Sequence, residues 1–411
     1  MNYIILIGLA LFLLASALHD GDIGTWDFDR GSMNFRISDG DYTLRVKGEG
    51  DIDLAPDGSG VAALSSNGSL DLHMTRNGAV RRVLFSSEDG TLTRQFFVEG
   101  EAQPWSPEAD PFVAEAMPIV LRETALSFEE RVTWLIENRG HSGLLNEIDL
   151  IQSDFAQRLY SVQYAKVAEI APADFQRLMG ALGSNMSSDF DLRTTLSEVY
   201  DEERPDGESF VALLNAGTSL SSDFDARVLL EHVGSRMPNT PEATTAYLDV
   251  AATINSDFDL RTALAPFVTR REHDDDLLAR AIDLAADEIN SDFDLRVLLA
   301  EAAPRVGASD VLARAYTEAV ASINSDFDHR EALTTLAEHA NLSAEGWRLL
   351  LDSAAQDLGS DFDCATLLVT VAPNLPADDA VVTAYRRAMD TIGSDFDRQR
   401  ALVALDDAGR R

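Results

Sequence analysis

Lysine is nearly missing from this chain: Lys47 and Lys166 are the only two among 33 basic residues, set against 70 acidic ones in 411. The formal net charge is −37. A field of that sign repels phosphate backbones, so no nucleic acid is expected as a partner, and loose adsorption to anionic lipid is disfavoured. Arginine, which carries nearly all the positive charge, keeps its proton and makes planar forked contacts with carboxylates. Genomic base composition accounts for the bias equally well. Cysteine occurs once, as Cys364, so an intramolecular disulfide and a disulfide scaffold are both excluded. The bland reading of Cys364 is a small buried hydrophobe.

Catalytic signatures are scarce as well. None of the seven histidines falls in His-Glu-x-x-His. Gly140-His141-Ser142-Gly143 lacks the residue between Ser and Gly that a nucleophile elbow needs, and joins two helices more naturally. Gly48-Glu49-Gly50 lacks the third glycine of a dinucleotide loop, and no phosphate loop is present. No catalytic residue, cofactor or metal is therefore assigned. A long apolar run is lacking too. Tyr3 to Leu18 is almost wholly apolar, yet shorter than the roughly 20 residues of a spanning helix. It fits the apolar core of a signal peptide with a small-residue cleavage site at Ala15-Ser16-Ala17, although no Lys or Arg precedes it. Export to the periplasm or envelope is the expectation. A retained segment would act as a membrane tether, and a buried N-terminal helix is the bland alternative.

What is present is 45% hydrophobic residues, enough for a core, in a chain longer than one compact core usually serves. From Gly21 to about Gln103 the sequence alternates in short runs: Tyr42–Lys47, Val61–Leu64, Ser69–Met74, Ala79–Phe85 and Leu92–Val98. Asp57-Gly58, Asn67-Gly68, Asn77-Gly78 and Asp89-Gly90 punctuate them. Such dipeptides between alternating runs predict hairpins. From about Pro107 the period becomes helical, with expected helices over Phe112–Leu121, Phe128–Leu135 and Gly143–Ile151. Pro118 is expected to kink or shorten the first. Ser127-Phe128-Glu129-Glu130 reads as a degenerate start of the repeat that follows.

That repeat is explicit. Ser188-Asp189-Phe190-Asp191 recurs as Ser222-Asp223-Phe224-Asp225, Ser256-Asp257-Phe258-Asp259, Ser291-Asp292-Phe293-Asp294, Ser325-Asp326-Phe327-Asp328, Ser360-Asp361-Phe362-Asp363 and Ser394-Asp395-Phe396-Asp397. A variant, Ser153-Asp154-Phe155-Ala156, precedes them, and every spacing is 34 or 35 residues. Near-constant spacing of this length marks a stacked helical array. The serine is expected to cap a helix, the second Asp to answer it reciprocally, and the first Asp to suit the helix dipole. Asn255, Asn290, Asn324, Gly359 and Gly393, each just before a serine, are types that tolerate a left-handed helix end. The residue before that is always apolar, from Ile151 to Ile392. Arg158, Arg193, Arg227, Arg261, Arg296 and Arg330 follow five residues after the serine. They can pair within the helix with the first Asp, or with an Asp of the adjacent repeat as a ladder. Ala365 and Gln399 break that row. The motif Phe, with the recurrent leucine at Leu196 through Leu402, is expected on the core face. Thr240-Pro241-Glu242 opens a second helix in standard fashion. The Asp-x-Asp pairs lack the glycine turn and closing Glu of a calcium loop. His273-Asp274-Asp275-Asp276 reads as a solvated helix start.

The fold class predicted is α+β by segregated domains: a small antiparallel β domain, then an α-solenoid of 34–35-residue helix-turn-helix repeats. The boundaries are a leader over 1–20, a β-rich domain over 21–104, a helical linker over 105–152 and a solenoid over 153–411, with seven full repeats and a terminal capping helix. The period and two-helix unit resemble the α-solenoid class of HEAT-like and tetratricopeptide arrays, although the tetratricopeptide pattern of Trp, Gly, Tyr and Pro is missing. The chain looks closer to a set of uncharacterised bacterial exported proteins with a Ser-Asp-[Phe/Tyr]-[Asp/Glu] repeat after a small β domain. Some of these are fused behind membrane metallopeptidases resembling β-lactam sensors, a portion this chain lacks. The resemblance covers about Ser127 to Arg411. It implies an envelope sensing or binding context and no known reaction.

The expected function is that of a non-catalytic binding or scaffold protein offering an extended surface to a protein or peptide partner. One alternative is an envelope hydrolase or carbohydrate-active enzyme using Asp51, Asp53, Glu99 or His73. The other is a structural spacer stabilised by cations at the Asp-rich corners.

Overall fold

The structure, a computed structural model, describes residues 25–27, 31–105, 107–270 and 274–410. The leader expected over residues 1–20 and His273 lie outside them. Among the described residues, no helix is long and apolar enough to cross a membrane. The chain divides into two compact units. One runs through Ala181 and takes in Asn185–Ser187; the other comprises Leu182–Ser184 and everything from Ser188.

The first unit opens with a β domain whose strands are β1 (Thr25–Asp27), β2 (Ser32–Asp39), β3 (Tyr42–Glu49), β4 (Ile52–Leu54), β5 (Val61–Leu64), β6 (Ser69–Arg76), β7 (Ala79–Glu88), β8 (Thr91–Val98) and β9 (Glu101–Gln103). Seven form one antiparallel sheet in the order β1-β2-β3-β6-β7-β8-β9, while β4 and β5 pair separately. The hairpin signals have a mechanical basis. Asn77 and Gly78 both take positive φ (50° and 82°), as do Asp89 and Gly90 (48° and 78°). A two-residue hairpin turn that follows strand twist needs this conformation. Alternation then sorts the faces. Leu44, Val46, Leu70, Leu72, Val83 and Phe96 point inward and pack on Phe112, Ala116, Met117, Val120 and Leu121 of helix α1 (Ala109–Thr124). Helix α1 is longer than the expected Phe112–Leu121 and contains Pro118.

Helix α2 (Phe128–Ile148) joins the two shorter helices expected there, and Gly140 (φ 68°, ψ 178°) breaks its regular path. Ser127 differs from a repeat start. It is left-handed and caps nothing; its Oγ instead accepts the Leu54 N–H of the β domain at 3.0 Å. Helices α3 (Asp154–Val167) and α4 (Pro172–Asn185) follow.

The second unit is an α-solenoid: α5 (Asp189–Glu203), α6 (Gly207–Gly217), α7 (Asp223–Gly234), α8 (Pro241–Ala251), α9 (Asp257–Val268), α10 (Asp275–Glu288), α11 (Asp292–Val306), α12 (Asp310–Val320), α13 (Asp326–His339), α14 (Ala344–Asp357), α15 (Asp361–Val371), α16 (Asp379–Thr391) and α17 (Asp395–Asp407). Each odd-numbered helix packs on the next odd-numbered one and each even-numbered helix on the next even-numbered one, giving two layers. Leu196, Leu230, Leu264, Leu299, Leu333 and Leu368 are fully buried between the layers, whereas Leu402 on the last helix is exposed. The apolar residue two before each serine is buried in every repeat. Tyrosines of the even layer bridge to the odd layer: the hydroxyls of Tyr247, Tyr316 and Tyr385 donate to Ala263 O, Ala332 O and Ala401 O at 2.6, 3.1 and 2.9 Å. Burial pushes all three phenols well above their ordinary range.

Candidate functional site: the corner and the aromatic row

Each repeat turns its corner on one serine. The residue is extended, and its Oγ accepts the N–H of the second motif Asp at 3.2–3.3 Å in Ser188, Ser222, Ser256, Ser291, Ser325, Ser360 and Ser394. This is an N-cap. From Ser222 onward the second Asp side chain is engaged by an arginine rather than in the reciprocal half of the expected capping box.

The first Asp supplies what the capping box would have given, and it does so across repeats. Asp223 accepts from Asn255 N (3.1 Å) and Ser256 N (2.9 Å). Asp292 takes Asn324 N and Ser325 N, and Asp361 takes Gly393 N and Ser394 N. Asp189, Asp257 and Asp326 hold Ser221 N, Asn290 N and Gly359 N, and Asp154 holds Ser187 N in the first unit. Glu123, from α1, does the same for Gln152 and Ser153. Each carboxylate thus satisfies orphan donors at the next corner. This corrects the expected left-handed ending: none of the five Asn and Gly positions has positive φ. The three Asn side chains instead donate to the carbonyl two residues back, and at the two glycines the neighbouring carboxylate lies close. A Cβ on Gly393 would sit 3.3 Å from Asp361 Oδ2.

The second Asp points the other way along the array and takes the arginine of the preceding repeat. Nε of Arg193, Arg227, Arg261, Arg296 and Arg330 donates to Asp225, Asp259, Asp294, Asp328 and Asp363 at 2.7–3.0 Å. The ladder, rather than the within-helix pair, is the arrangement formed. Each of these guanidinium groups also lies 5.0–5.1 Å from the ring centroid of its own repeat's phenylalanine. Where Ala365 interrupts the row, Arg400 reaches back over Phe362 at 5.6 Å and pairs with Asp397.

Those phenylalanines overturn the expectation that they face the core. Phe190 is 41% exposed, Phe224, Phe258, Phe293, Phe327 and Phe362 are 55–59% exposed, and Phe396 reaches 74%. The physical reason is register. The ring stands two residues after the cap, and the inward stripe is taken by the fourth and eighth positions, such as Leu192 and Leu196. The result is one exposed aromatic ring per repeat, with an arginine over the ring in each repeat from Phe190 to Phe362.

The other candidates fall differently. Asp51 and Asp53 are exposed beside and on β4, and Glu99 closes the turn before β9 by accepting the Val80 N–H. His73 lies on β6 between Arg45 and Arg82. Among the described residues, no group of three or more His, Cys, Asp or Glu side chains could hold a metal ion. Cys364 is buried, which pushes its thiol up to about 11. Asp274 caps α10.

No family model matches the chain, and no curated protein matches it. One solved structure, from "Computational Design of Self-Assembling Cyclic Protein Homooligomers", overlaps 69% of this chain and 94% of its own at 14% identity, with a TM-score of 0.14, a likeness too slight to carry an argument.

Proposed function

We propose that this is an exported, non-catalytic binding or scaffold protein whose solenoid offers its aromatic row to a protein or peptide partner in the cell envelope. The observation that carries this reading is the exposure of one phenylalanine per repeat in seven successive repeats. A soluble surface seldom keeps apolar side chains in a continuous register unless they meet something. Rings held by arginine are also pre-ordered, which lowers the entropy lost on binding. The exported setting rests on the apolar segment Tyr3–Leu18 and on the resemblance to bacterial exported Ser-Asp-[Phe/Tyr]-[Asp/Glu] repeat proteins.

The test replaces Phe224, Phe258, Phe293 and Phe327 with Ala together and compares capture from envelope extract by this variant and by the parent chain. A partner held by the parent and lost by the variant, with helical content unchanged by circular dichroism, is the expected result. Identical capture by both, or none by either, would defeat the proposal.

A further inference from the structure

The sheet of the β domain has a second face, turned away from α1, and its chemistry is unlike the rest of this acidic chain. Register places Arg36, Arg45, His73, Arg82 and Phe97 side by side on five adjacent strands. Strands lie about 4.8 Å apart, so the four nitrogen-bearing residues span about 14 Å. Lys47, one of two lysines in the chain, stands two residues from Arg45 on the same face. Arg82 is neutralised by a two-pronged contact with Asp71 at 2.7 and 2.8 Å and lies 5.0 Å from the Phe97 ring. Arg36, Arg45 and Lys47 are exposed and form no ion pair among the described residues.

Like charges directly opposite across strands destabilise a sheet, and Arg36 faces Arg45 directly. In the same domain Arg76 and Arg81, near α1, both reach Glu115. The open face also has shape. A cleft of about 260 Å³ is lined by Arg45, Lys47, Asp71, His73, Arg82 and Phe97. A second of about 260 Å³ is lined by Arg36, Thr43, Arg45, His73 and Thr75. The two adjoin, with Arg45 and His73 in the walls of both, and together make a trough on this face.

We propose that this trough binds a compact, multivalent phosphate ligand, a diphosphate or a small organic phosphate. Three cationic residues without an ion pair among the described residues stand on two neighbouring strands, and the carboxylate opposite Lys47, that of Asp71, is already taken by Arg82. A phosphate group carries about −1.5 to −2 and three acceptor oxygens. Guanidinium forks grip such oxygens in pairs, and a lysine adds a point charge. The hydroxyls of Thr43 and Thr75 add neutral donors at one end. Phe97, half-buried at the other, offers an apolar surface for an organic substituent.

Calorimetric titration of the full chain with inorganic pyrophosphate at about 0.15 M salt tests this. Saturable binding is expected, together with a rise in melting temperature. Arg45→Gln and Arg36→Gln should each weaken binding about tenfold or more, since a charge-assisted contact contributes about 1.5–3 kcal/mol. Arg81→Gln, whose partner is Glu115, should bind like the parent. Without ligand, Arg45→Gln should melt no lower than the parent, because a like-charge contact is removed. That outcome separates a binding role from a structural one. The proposal is overturned by no saturable pyrophosphate binding, by citrate binding as tightly, by phosphatidylglycerol vesicles capturing the chain despite saturating pyrophosphate, or by a lower-melting ligand-free Arg45→Gln.

Discussion

At the scale of single residues the motif divides its labour: Ser and both Asp build the structure, whereas Phe contributes surface. The division is testable within one repeat. Asp223→Ala strips the acceptor from two corner N–H groups, those of Asn255 and Ser256. Loss of a cap of this kind costs about 0.5–2 kcal/mol, and melting should fall by about 2–4 °C per kcal/mol for a unit of this size. Phe258→Ala removes an exposed ring and its arginine contact, expected to cost less than about 1 kcal/mol. Thermal melts of the two variants should differ in that order; a reversed order would mean that the ring holds the fold. A second residue-scale prediction concerns His329. It occupies the core position held by Leu192, Leu260 and Leu295 in other repeats, is almost fully buried, and meets Ser353 Oγ at 3.2 Å. Burial holds its pKa below the ordinary 6.5, with Asp357 and Asp326 opposing. The unfolded chain therefore binds the proton more readily. Stability should decline as pH falls through about 6.5 toward the depressed native value. His329→Leu should flatten that part of the profile, as read by urea midpoints from pH 7.5 to 5.5.

At the scale of elements, helix α2 depends on a buried ion pair between two of its own residues. Arg131 of α2 is almost fully buried, donating to Glu147 Oε1 at 2.8 Å and to Pro56 O at 2.6 Å. Arg122 of α1 approaches the same carboxylate at 3.6 Å. Removing one partner of such a pair strands a charge and costs about 3–5 kcal/mol, while replacing both with apolar residues is often neutral. Glu147→Ala should therefore fall in that range by denaturant unfolding, and Arg131→Met with Glu147→Leu should recover most of it. This pair was not legible from the chain, because residues 16 positions apart give no periodic signal. The elements themselves were far more readable. Asn77-Gly78 and Asp89-Gly90 announce their hairpins because positive φ demands those residue types. Strand β2 carried a usable signal in Met33, Phe35 and Ile37 that alternate with Ser32, Asn34 and Arg36. Strand β9 carried none, since Glu101–Gln103 has only exposed residues. The corner was legible in its serine, and the Arg–Asp ladder was one of two arrangements the spacing allowed, but the role of the first Asp at the next corner was not legible. Its partners sit 32 or 33 residues away, at a distance only the stacking fixes. The aromatic row was misread because a recurrent Phe beside a recurrent Leu looks like core until helix phase is assigned from the cap.

At the scale of the whole molecule, charge sets a contest that solution conditions can resolve. The chain carries −37, and self-repulsion on that scale destabilises compact states. The ladder opposes it with contacts of 2.7–3.0 Å between partners mostly shielded from water. Salt acts unequally on the two. The screening length shortens from about 30 Å at 0.01 M to about 8 Å at 0.15 M, which weakens interactions between distant charges first. A close, half-buried pair keeps most of its strength. Melting temperature is therefore expected to rise over that salt range, and to rise more in Arg261→Gln, where one attractive rung is missing and the loss of a positive charge leaves Asp294 without its partner and the repulsion greater. A parent chain whose melting temperature falls with salt would show that the rungs outweigh the repulsion.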